Sequence, residues 1–125
     1  TYPIAIASGA LRPEIELVLE QIGIRKAFGH ITSAEDVTCG KPNPEPFLQA
    51  LAGLNRHQST AAIVPNSCLV IEDSLPGIRA AKAAGMKVLA VANTHTIQAL
   101  NEADAISSSL SETRLKDVRV RLWPT

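Results

Sequence analysis

The feature of this sequence that most restricts its fold is a set of short, wholly apolar runs separated by longer segments of helical periodicity. Three of the runs are residues 4–7, 68–71 and 88–91. A short apolar run that ends in polar residues is typical of a strand buried on both faces, as in a parallel sheet. Strands that alternate with helices form βαβ units. We therefore expect an α/β fold with a mainly parallel sheet.

The first two helices are marked by apolar spacing and by start and stop residues. The first apolar stripe is Leu11, Ile15, Val18, Leu19 and Ile22, and the second is Phe47, Leu48, Leu51 and Leu54. Pro13 lies in the first turn of the first helix, and Gly23 follows its end. Asn43 is a suitable N-cap for the second helix, with Pro44 as its first residue. A short strand over 30–32 is expected between the two helices.

The remaining segments are less regular. Pro76 is expected to open a helix that runs to Ala84 and stops at Gly85. Further along, the sequence predicts a helix over 96–103 and a short strand over 105–106. Residues 55–67 form a longer connection, for which a surface loop is the default. In the tail, apolar Val118, Val120 and Leu122 alternate with arginines, which favours a half-buried edge.

Composition excludes several classes of protein. The 12 basic and 12 acidic residues cancel, so nucleic-acid binding through a basic surface is not expected. Aromatic residues make up only 3% of the chain, too few for a base-stacking platform. No apolar run is long enough for a transmembrane helix, and no association with a membrane is expected. Cys39 and Cys68 have neither disulfide nor zinc spacing, which favours reduced thiols and a cytoplasmic location.

Polar side chains cluster where the predicted strands end: Ser8-Gly9, Glu72-Asp73-Ser74 and Asn93-Thr94. In open α/β sheets the ligand crevice lies outside the carboxyl ends of the strands. Ser8 and Gly9 can form an anion cradle, because the hydroxyl donates and the glycine lets the backbone approach. A simple βα turn is the alternative interpretation.

Two charged motifs add to this edge. Lys41 is held between Gly40 and Pro42, where its ammonium group can neutralise a phosphate or a carboxylate; a solvated surface lysine is the alternative. Glu72 and Asp73 follow a buried strand directly, and such carboxylates can hold Mg²⁺. Alternatively, Asp73 or Ser74 only caps the next helix.

Together, these motifs indicate a class of reaction more specifically than any one of them does. An anion cradle, a fixed cation and an acid pair on successive strand ends are what phosphoryl transfer requires, because the charge on the transferring group must be neutralised.

Three segments resemble the haloacid dehalogenase superfamily of phosphohydrolases, in its branch that contains β-phosphoglucomutase and phosphoglycolate phosphatase. They are residues 4–10, residues 34–44 with Gly-Lys-Pro-Asn-Pro, and residues 69–86 with Val-Ile-Glu-Asp-Ser-Leu-Pro-Gly. The resemblance implies a Rossmann-like three-layer αβα fold with an inserted cap. It covers residues 1–110 as a partial core domain and leaves 111–125 as a tail of uncertain role.

The resemblance also implies a role for each site residue. Ser8 and Gly9 would bind the transferring phosphoryl group, and Lys41 would neutralise that group and the attacking carboxylate. Asp73, with Glu72 beside it, would bind Mg²⁺. Arg12 stands where related phosphomutases contact their substrate. The implied activity is a Mg²⁺-dependent phosphatase acting on a small phosphorylated metabolite.

The chain departs from the family in two respects. It contains no Asp-x-Asp motif, which in the family supplies the nucleophile on the first strand, and it lacks the cap. We therefore expect this chain alone to be inactive, with its sheet open between strands 4–7 and 69–71. It should need the missing N-terminal part, or a swapped copy of itself. A sugar phosphomutase and a non-catalytic module that binds phosphate or a partner are the alternatives.

Overall fold

The computed structural model describes residues 2–92 and 100–125. Its strands are β1 (Ala5–Ala7), β2 (His30–Thr32), β3 (Leu69–Glu72), β4 (Lys87–Val91) and β5 (Ala105–Ser107). Its helices are α1 (Arg12–Gln21), α2 (Glu45–Asn55), α3 (Leu75–Ala83) and α4 (Leu115–Leu122). Short 3₁₀ turns occupy residues 25–27, 34–36, 65–67 and 110–112.

Every strand pair is parallel, as expected. β1 pairs with β2 in one sheet, and β3, β4 and β5 form a second sheet with β4 in the centre. Within the described part of the chain, β1 and β3 are not paired with each other. The sheet is therefore divided at the place where the sequence predicted a missing strand.

Helices cover the strands on both faces. On one side, α2 and α3 pack in the main core, which includes Phe47, Ile78 and Val88. α2 contacts β1, β2 and α3, so it connects the first sheet to the helix that covers the second. On the other side, α1 covers Ile31 of β2, and α4 places Val118 against Leu89. This is the Rossmann-like αβα arrangement, and the α/β prediction is confirmed.

Local signals set most helix ends. Gly23 and Gly85 adopt positive φ angles of 75° and 81° just after α1 and α3, a backbone conformation that favours glycine. Asn43 accepts a hydrogen bond from the Glu45 N–H at 2.9 Å, and α2 begins at Glu45, one residue later than predicted.

The structure differs from two expectations about packing. The tail does not form an edge: residues 115–122 are helical, with Val118 buried and Val120 71% exposed. The alternation was misleading because Val118 and Leu122, four residues apart on one face of the helix, pack toward the core, whereas Val120 lies on the exposed face. In α1, Ile15 and Leu19 are buried and Val18 is exposed, as are the residues that flank the helix, Leu11 and Ile22.

Three other expectations concern cysteines, membranes and undescribed residues. Cys39 and Cys68 are free; Cys39 is exposed, and Cys68 packs half-buried against the main core. No helix in 2–92 or 100–125 is long and apolar enough to cross a membrane. Residues 93–99 lie outside the described residues. They include Asn93, Thr94 and the first part of the predicted helix over 96–103.

Candidate active site

Lys41 occupies the centre of the candidate site. Its ammonium group donates to the Ala7 carbonyl oxygen at 3.1 Å and to Glu72 Oε2 at 2.7 Å. It also lies 5.0 Å from the centre of the Phe47 ring, within range of a cation–π contact. The Lys41 side chain is 22% exposed and that of Glu72 is 10% exposed. One fixed cation thus joins the carboxyl ends of β1 and β3 across the divided sheet.

Ser8 and Gly9 follow β1 at the same edge. The Ser8 N–H donates to the Thr32 carbonyl at 3.0 Å, which continues the pairing with β2. Ser8 Oγ accepts the Ala10 N–H at 3.1 Å, so its own hydroxyl hydrogen remains to donate to a ligand. Gly9 is exposed, and no atom lies within 4 Å of the position that a Cβ would take. This turn leaves open space for an anion.

The two acidic residues differ in what they contact. Glu72 is engaged by Lys41, and its Oε1 accepts the Asp73 N–H at 3.1 Å. Asp73 is exposed and lines a cavity of about 190 Å³ together with Ile71 and Leu110. Of the two carboxylates, Asp73 is therefore the more accessible to a metal ion.

The donor set is compatible with Mg²⁺ but does not form a complete cage. The described residues contain no group of three or more His, Cys, Asp or Glu side chains placed to hold a metal. Mg²⁺ commonly keeps several waters and uses one or two carboxylates with a substrate phosphate. Asp73, with Glu72 beside it, fits that limited contribution.

Comparison with known proteins identifies the family of this chain. A family model described as "haloacid dehalogenase-like hydrolase" matches residues 1–85. The chain belongs to this hydrolase family. The match includes every candidate residue named from the sequence: Ser8, Gly9, Arg12, Lys41, Glu72 and Asp73.

Among curated relatives of this haloacid dehalogenase-like chain are several phosphatases. A bifunctional riboflavin kinase/FMN phosphatase from Arabidopsis thaliana is 39% identical over 119 residues, covering 91% of this chain and 29% of the relative. Validoxylamine A 7'-phosphate phosphatase from Streptomyces hygroscopicus subsp. limoneus is 33% identical over 112 residues, covering 90% of this chain and 49% of the relative. The chain therefore spans less than half the length of these relatives.

A similar fold occurs in a solved member of the branch. The crystal structure of β-phosphoglucomutase from Clostridium difficile superposes with a TM-score of 0.81 and 28% identity, over 96% of this chain and 48% of that chain. The haloacid dehalogenase-like resemblance is thus confirmed in sequence and in fold. The chain corresponds to about half of that protein's chain.

Arg12 does not join the other candidate residues in this structure. Its guanidinium donates to the Ile31 carbonyl at 2.7 Å and to Asp36 Oδ2 at 3.1 Å. It lines a different cavity, which contains none of the residues that flank Lys41. A substrate contact by Arg12 stays a prediction.

Two residues that support the site were missed by sequence reasoning. Glu45 accepts the Thr38 N–H at 2.6 Å and the Cys39 N–H at 3.4 Å, so it fixes the loop that carries Lys41 to the start of α2. An acidic residue in the first turn, just after Asn43 and Pro44, was the available signal for this interaction.

The second missed residue is Gly77. Ser74 caps α3 by accepting the Gly77 N–H at 3.2 Å, as one interpretation of the sequence predicted. A Cβ built on Gly77 would overlap the Glu72 carboxylate. The absence of a side chain at this position therefore allows Glu72 to lie against α3 while it binds Lys41. Nothing in the sequence linked these two residues, because the overlap arises only from the packing of β3 on α3.

Proposed function

We propose that this chain is the phosphate- and metal-binding part of a Mg²⁺-dependent phosphatase that acts on a small phosphorylated metabolite. The nucleophilic aspartate would lie outside this chain. The observation that carries the proposal is the position of the Lys41 ammonium group, bound to Ala7 and Glu72 beside an open Ser-Gly turn. Curated relatives that are phosphatases support the same class of reaction.

We assign each residue the role that the resemblance implies and that its contacts support. The Ser8 hydroxyl and the Gly9 backbone would donate to phosphoryl oxygens. Lys41 would neutralise the charge of the attacking carboxylate and of the phosphoryl group, and Glu72 keeps the ammonium group in place. Asp73, with Glu72 nearby, would hold Mg²⁺, which when bound supplies further charge neutralisation.

The covalent chemistry would be completed by a segment carrying Asp-x-Asp. Its first carboxylate would form a bond to phosphorus while the ester P–O bond breaks and the leaving oxygen takes a proton from the second aspartic acid. Water would then hydrolyse the aspartyl-phosphate and release inorganic phosphate. In this proposal, the residues of this chain bind and orient the phosphoryl group and supply no nucleophile.

The divided sheet supports a requirement for that segment. Each of β1 and β3 has one partner among the described strands, which leaves a strand edge of each facing the division. Ile71 of β3 is 52% exposed, although it belongs to an apolar run typical of a buried strand. We propose that an extended segment, from the N-terminal part of the same protein or from a second copy, pairs between β1 and β3. The chain together with this segment is called the complete enzyme below.

A sugar phosphomutase is the second candidate, favoured by the similarity to β-phosphoglucomutase. A phosphatase releases inorganic phosphate, whereas a mutase returns the phosphoryl group to the sugar at another position. A module that binds phosphate or a partner without turnover is the candidate of a different class. An Asp-x-Asp segment upstream would favour an enzyme over such a module.

The test is hydrolysis of a panel of phosphorylated metabolites with and without Mg²⁺, by the complete enzyme and by its Lys41→Ala variant. We expect Mg²⁺-dependent phosphate release that falls at least about 100-fold in kcat for the variant, because a preorganised charge is lost. Lys116→Ala, at an exposed position on α4, is the matched control.

A second variant distinguishes the effect of Lys41 on catalysis from its effect on the stability of the protein. Lys41→Ala leaves the nearly buried Glu72 carboxylate without its cation, which itself destabilises the protein. The Lys41→Ala/Glu72→Gln double variant relieves that cost, so it should recover stability but not activity. Phosphate release at the parent rate by a folded Lys41→Ala enzyme would overturn the proposed role. Isomerisation without net phosphate release would identify a mutase, and phosphate binding without any turnover would identify a non-catalytic module.

A further inference from the structure

A second cavity with several cationic groups lies along the outer edge of β2. It measures about 270 Å³ and is lined by Arg12, His30, Ile31, Asp36, Gln49, Ala52 and Arg56. Among the described residues, Lys41 forms hydrogen bonds with Ala7 and Glu72, neither of which lines this cavity, and the cavity beside Asp73 has a separate set of lining residues. Its volume suits a small ion or a small metabolite.

The charges in this cavity do not cancel. Asp36 is the acidic residue that lines it, and its Oδ2 already accepts from Arg12 at 3.1 Å, from the Ser33 N–H at 2.8 Å and from Ser33 Oγ at 2.9 Å. The hydrogen bonds from Ser33, followed by the contact with Arg12, hold the pKa of Asp36 below its usual value. Arg12 and Asp36 thus neutralise each other. Arg12 also lies 3.8 Å from Glu16, and its N–H donates to Glu35, but neither acid lines the cavity. Arg56 has no ion-pair partner among the described residues, so the residues that line the cavity carry one positive charge in excess.

His30 is held in the cavity by a specific packing arrangement. A Cβ on Gly53 would overlap the His30 ring, so the ring can pack against α2 only because this helical position is glycine. Glycine inside a helix costs about 1 kcal/mol relative to alanine. Gly53 therefore lowers the stability of α2 but allows the His30 imidazole to pack closely against this helix, beside Arg56.

The positive charges around this cavity disfavour the protonated form of His30. Burial is the first cause that lowers the pKa of His30, and the positive charges of Arg56 and Arg12 are the next. Asp36 opposes this effect, and His57 adds a smaller one in the same direction as the arginines. A protonated imidazole here lies in a positive field that an anion would relieve.

We propose that the cavity along β2 is a binding site for a small oxyanion, either inorganic phosphate or the phosphoryl group of a metabolite, held by Arg56 and His30. Arg56 would donate to the oxyanion through its guanidinium group, and His30 would donate as an imidazolium ion. Because the charge of Asp36 is already paired with Arg12, the anion would supply the negative charge that Arg56 and a protonated His30 lack. The proposed ligands of the oxyanion, Arg56 and His30, are not among the residues of the proposed reaction; Arg12, whose substrate contact stays a prediction, lines the cavity beside them.

The experiment is an NMR titration of the His30 imidazole in the complete enzyme with sulfate, which keeps its charge of −2 between pH 5.5 and about pH 8. Saturating sulfate should raise the pKa of His30 by about one unit, so sulfate should bind about tenfold more tightly to the protonated form. Inorganic phosphate then tests the natural chemistry. His57→Gln removes the neighbouring imidazole, and its titration should leave the His30 response in place.

Three variants define the site. Arg56→Gln should weaken sulfate binding at least about tenfold, since it removes a charged donor. Arg121→Gln, at an exposed arginine on α4, should leave binding unchanged. Lys41→Ala should also leave the His30 response unchanged, which distinguishes this cavity from the edge that carries Ser8. A His30 titration that does not respond to sulfate, or that responds equally in the Arg56→Gln variant, would overturn the proposal.

Discussion

Asp73 is the more accessible of the two carboxylates at the end of β3. If it holds Mg²⁺, Asp73→Asn replaces a charged oxygen donor by a weaker neutral amide. We expect the Mg²⁺ concentration for half-maximal activity of the complete enzyme to rise at least about tenfold, with a loss of kcat. A Mg²⁺ titration measures this. Asp117→Asn, at an exposed acid on α4, is the control, and an unchanged titration for Asp73→Asn would remove Asp73 from the metal site.

Gly77 gives a second prediction at the level of single residues. Gly77→Ala puts a methyl group where the Glu72 carboxylate lies, so Glu72 must turn away from Lys41. Because Glu72 is a flexible side chain and alanine favours helix by about 1 kcal/mol, the stability of the complete enzyme should change little. The coupling energy between Lys41 and Glu72, measured by a double-mutant cycle, should fall to near zero in the Gly77→Ala background.

The opposite pattern would contradict this assignment. A large loss of stability with an intact coupling energy would mean that the backbone of α3 moves and that Glu72 stays in place. Activity should follow the coupling energy, because the ion pair fixes the ammonium group that the proposed reaction uses.

Single residues also show how far the sequence could predict the site. Ser8, Lys41 and Glu72 could be assigned to one edge because parallel strands bring their carboxyl ends together. The specific pairing of Lys41 with Glu72, and the position of Arg12 outside this group, could not be predicted. Those depend on which way long side chains turn after the elements have packed.

At the level of elements, Asp104 links α3, β4 and the start of β5. Its Oδ1 accepts from the Lys82 ammonium group at 2.7 Å, and its Oδ2 accepts the Val88 N–H at 2.8 Å. Burial would raise the pKa of Asp104, but the hydrogen bonds from Lys82 and Val88 outweigh it and hold the pKa below its usual value. The ionised form is therefore the one that stabilises the fold.

This predicts a stability change that depends on pH. Asp104→Asn should lower the free energy of unfolding of the complete enzyme by about 1–3 kcal/mol at pH 7, because bonds to a charged group are lost. Since the folded pKa is depressed, this stabilisation is present above the unfolded pKa of about 3.9 and is lost as the pH falls through the folded pKa. Urea unfolding at pH 7 and at the lowest pH that keeps the protein folded measures the difference.

The control for Asp104 is again Asp117→Asn, whose ion pair with Arg114 is exposed and should matter little. A destabilisation by Asp104→Asn that stays constant down to acid pH would mean that packing, and not charge, accounts for the role of Asp104.

The elements themselves were predicted with unequal success, for physical reasons. Buried strands and glycine-terminated helices were found because burial and positive φ leave direct marks in the sequence. α4 was missed because little more than Val118 and Leu122 packs against the sheet. Two apolar residues are too few to show a helical spacing in the sequence. α1 was found, but its exposed apolar face was not foreseen, because a single sequence does not show what an apolar face packs against.

At the level of the whole molecule, the division between β1 and β3 determines how the chain should behave. α2 packs against β1, β2 and α3, and Lys41 joins the ends of β1 and β3, so the two sheets are held together without a shared ladder. The backbone groups along the facing edges have no strand partner within the described residues. Such edges favour association with another strand.

We therefore expect the isolated chain to be weakly stable or to associate with copies of itself. A peptide that contains an apolar strand ending in Asp-x-Asp should stabilise the chain and prevent this self-association. Addition of the peptide should give a complex of one chain and one peptide by sedimentation, with a raised unfolding midpoint in urea, because binding to the folded state stabilises it. It should also create phosphatase activity, since the nucleophile is then present.

A scrambled peptide of the same composition is the control for nonspecific association. A peptide with Asn in place of the leading Asp separates the two consequences, because it should restore stability and stoichiometry without activity. If the isolated chain is a stable monomer whose urea midpoint no strand peptide changes, then β1 and β3 do not need a partner between them. In that case the division would be a property of this fold and would not mark the place of a missing strand.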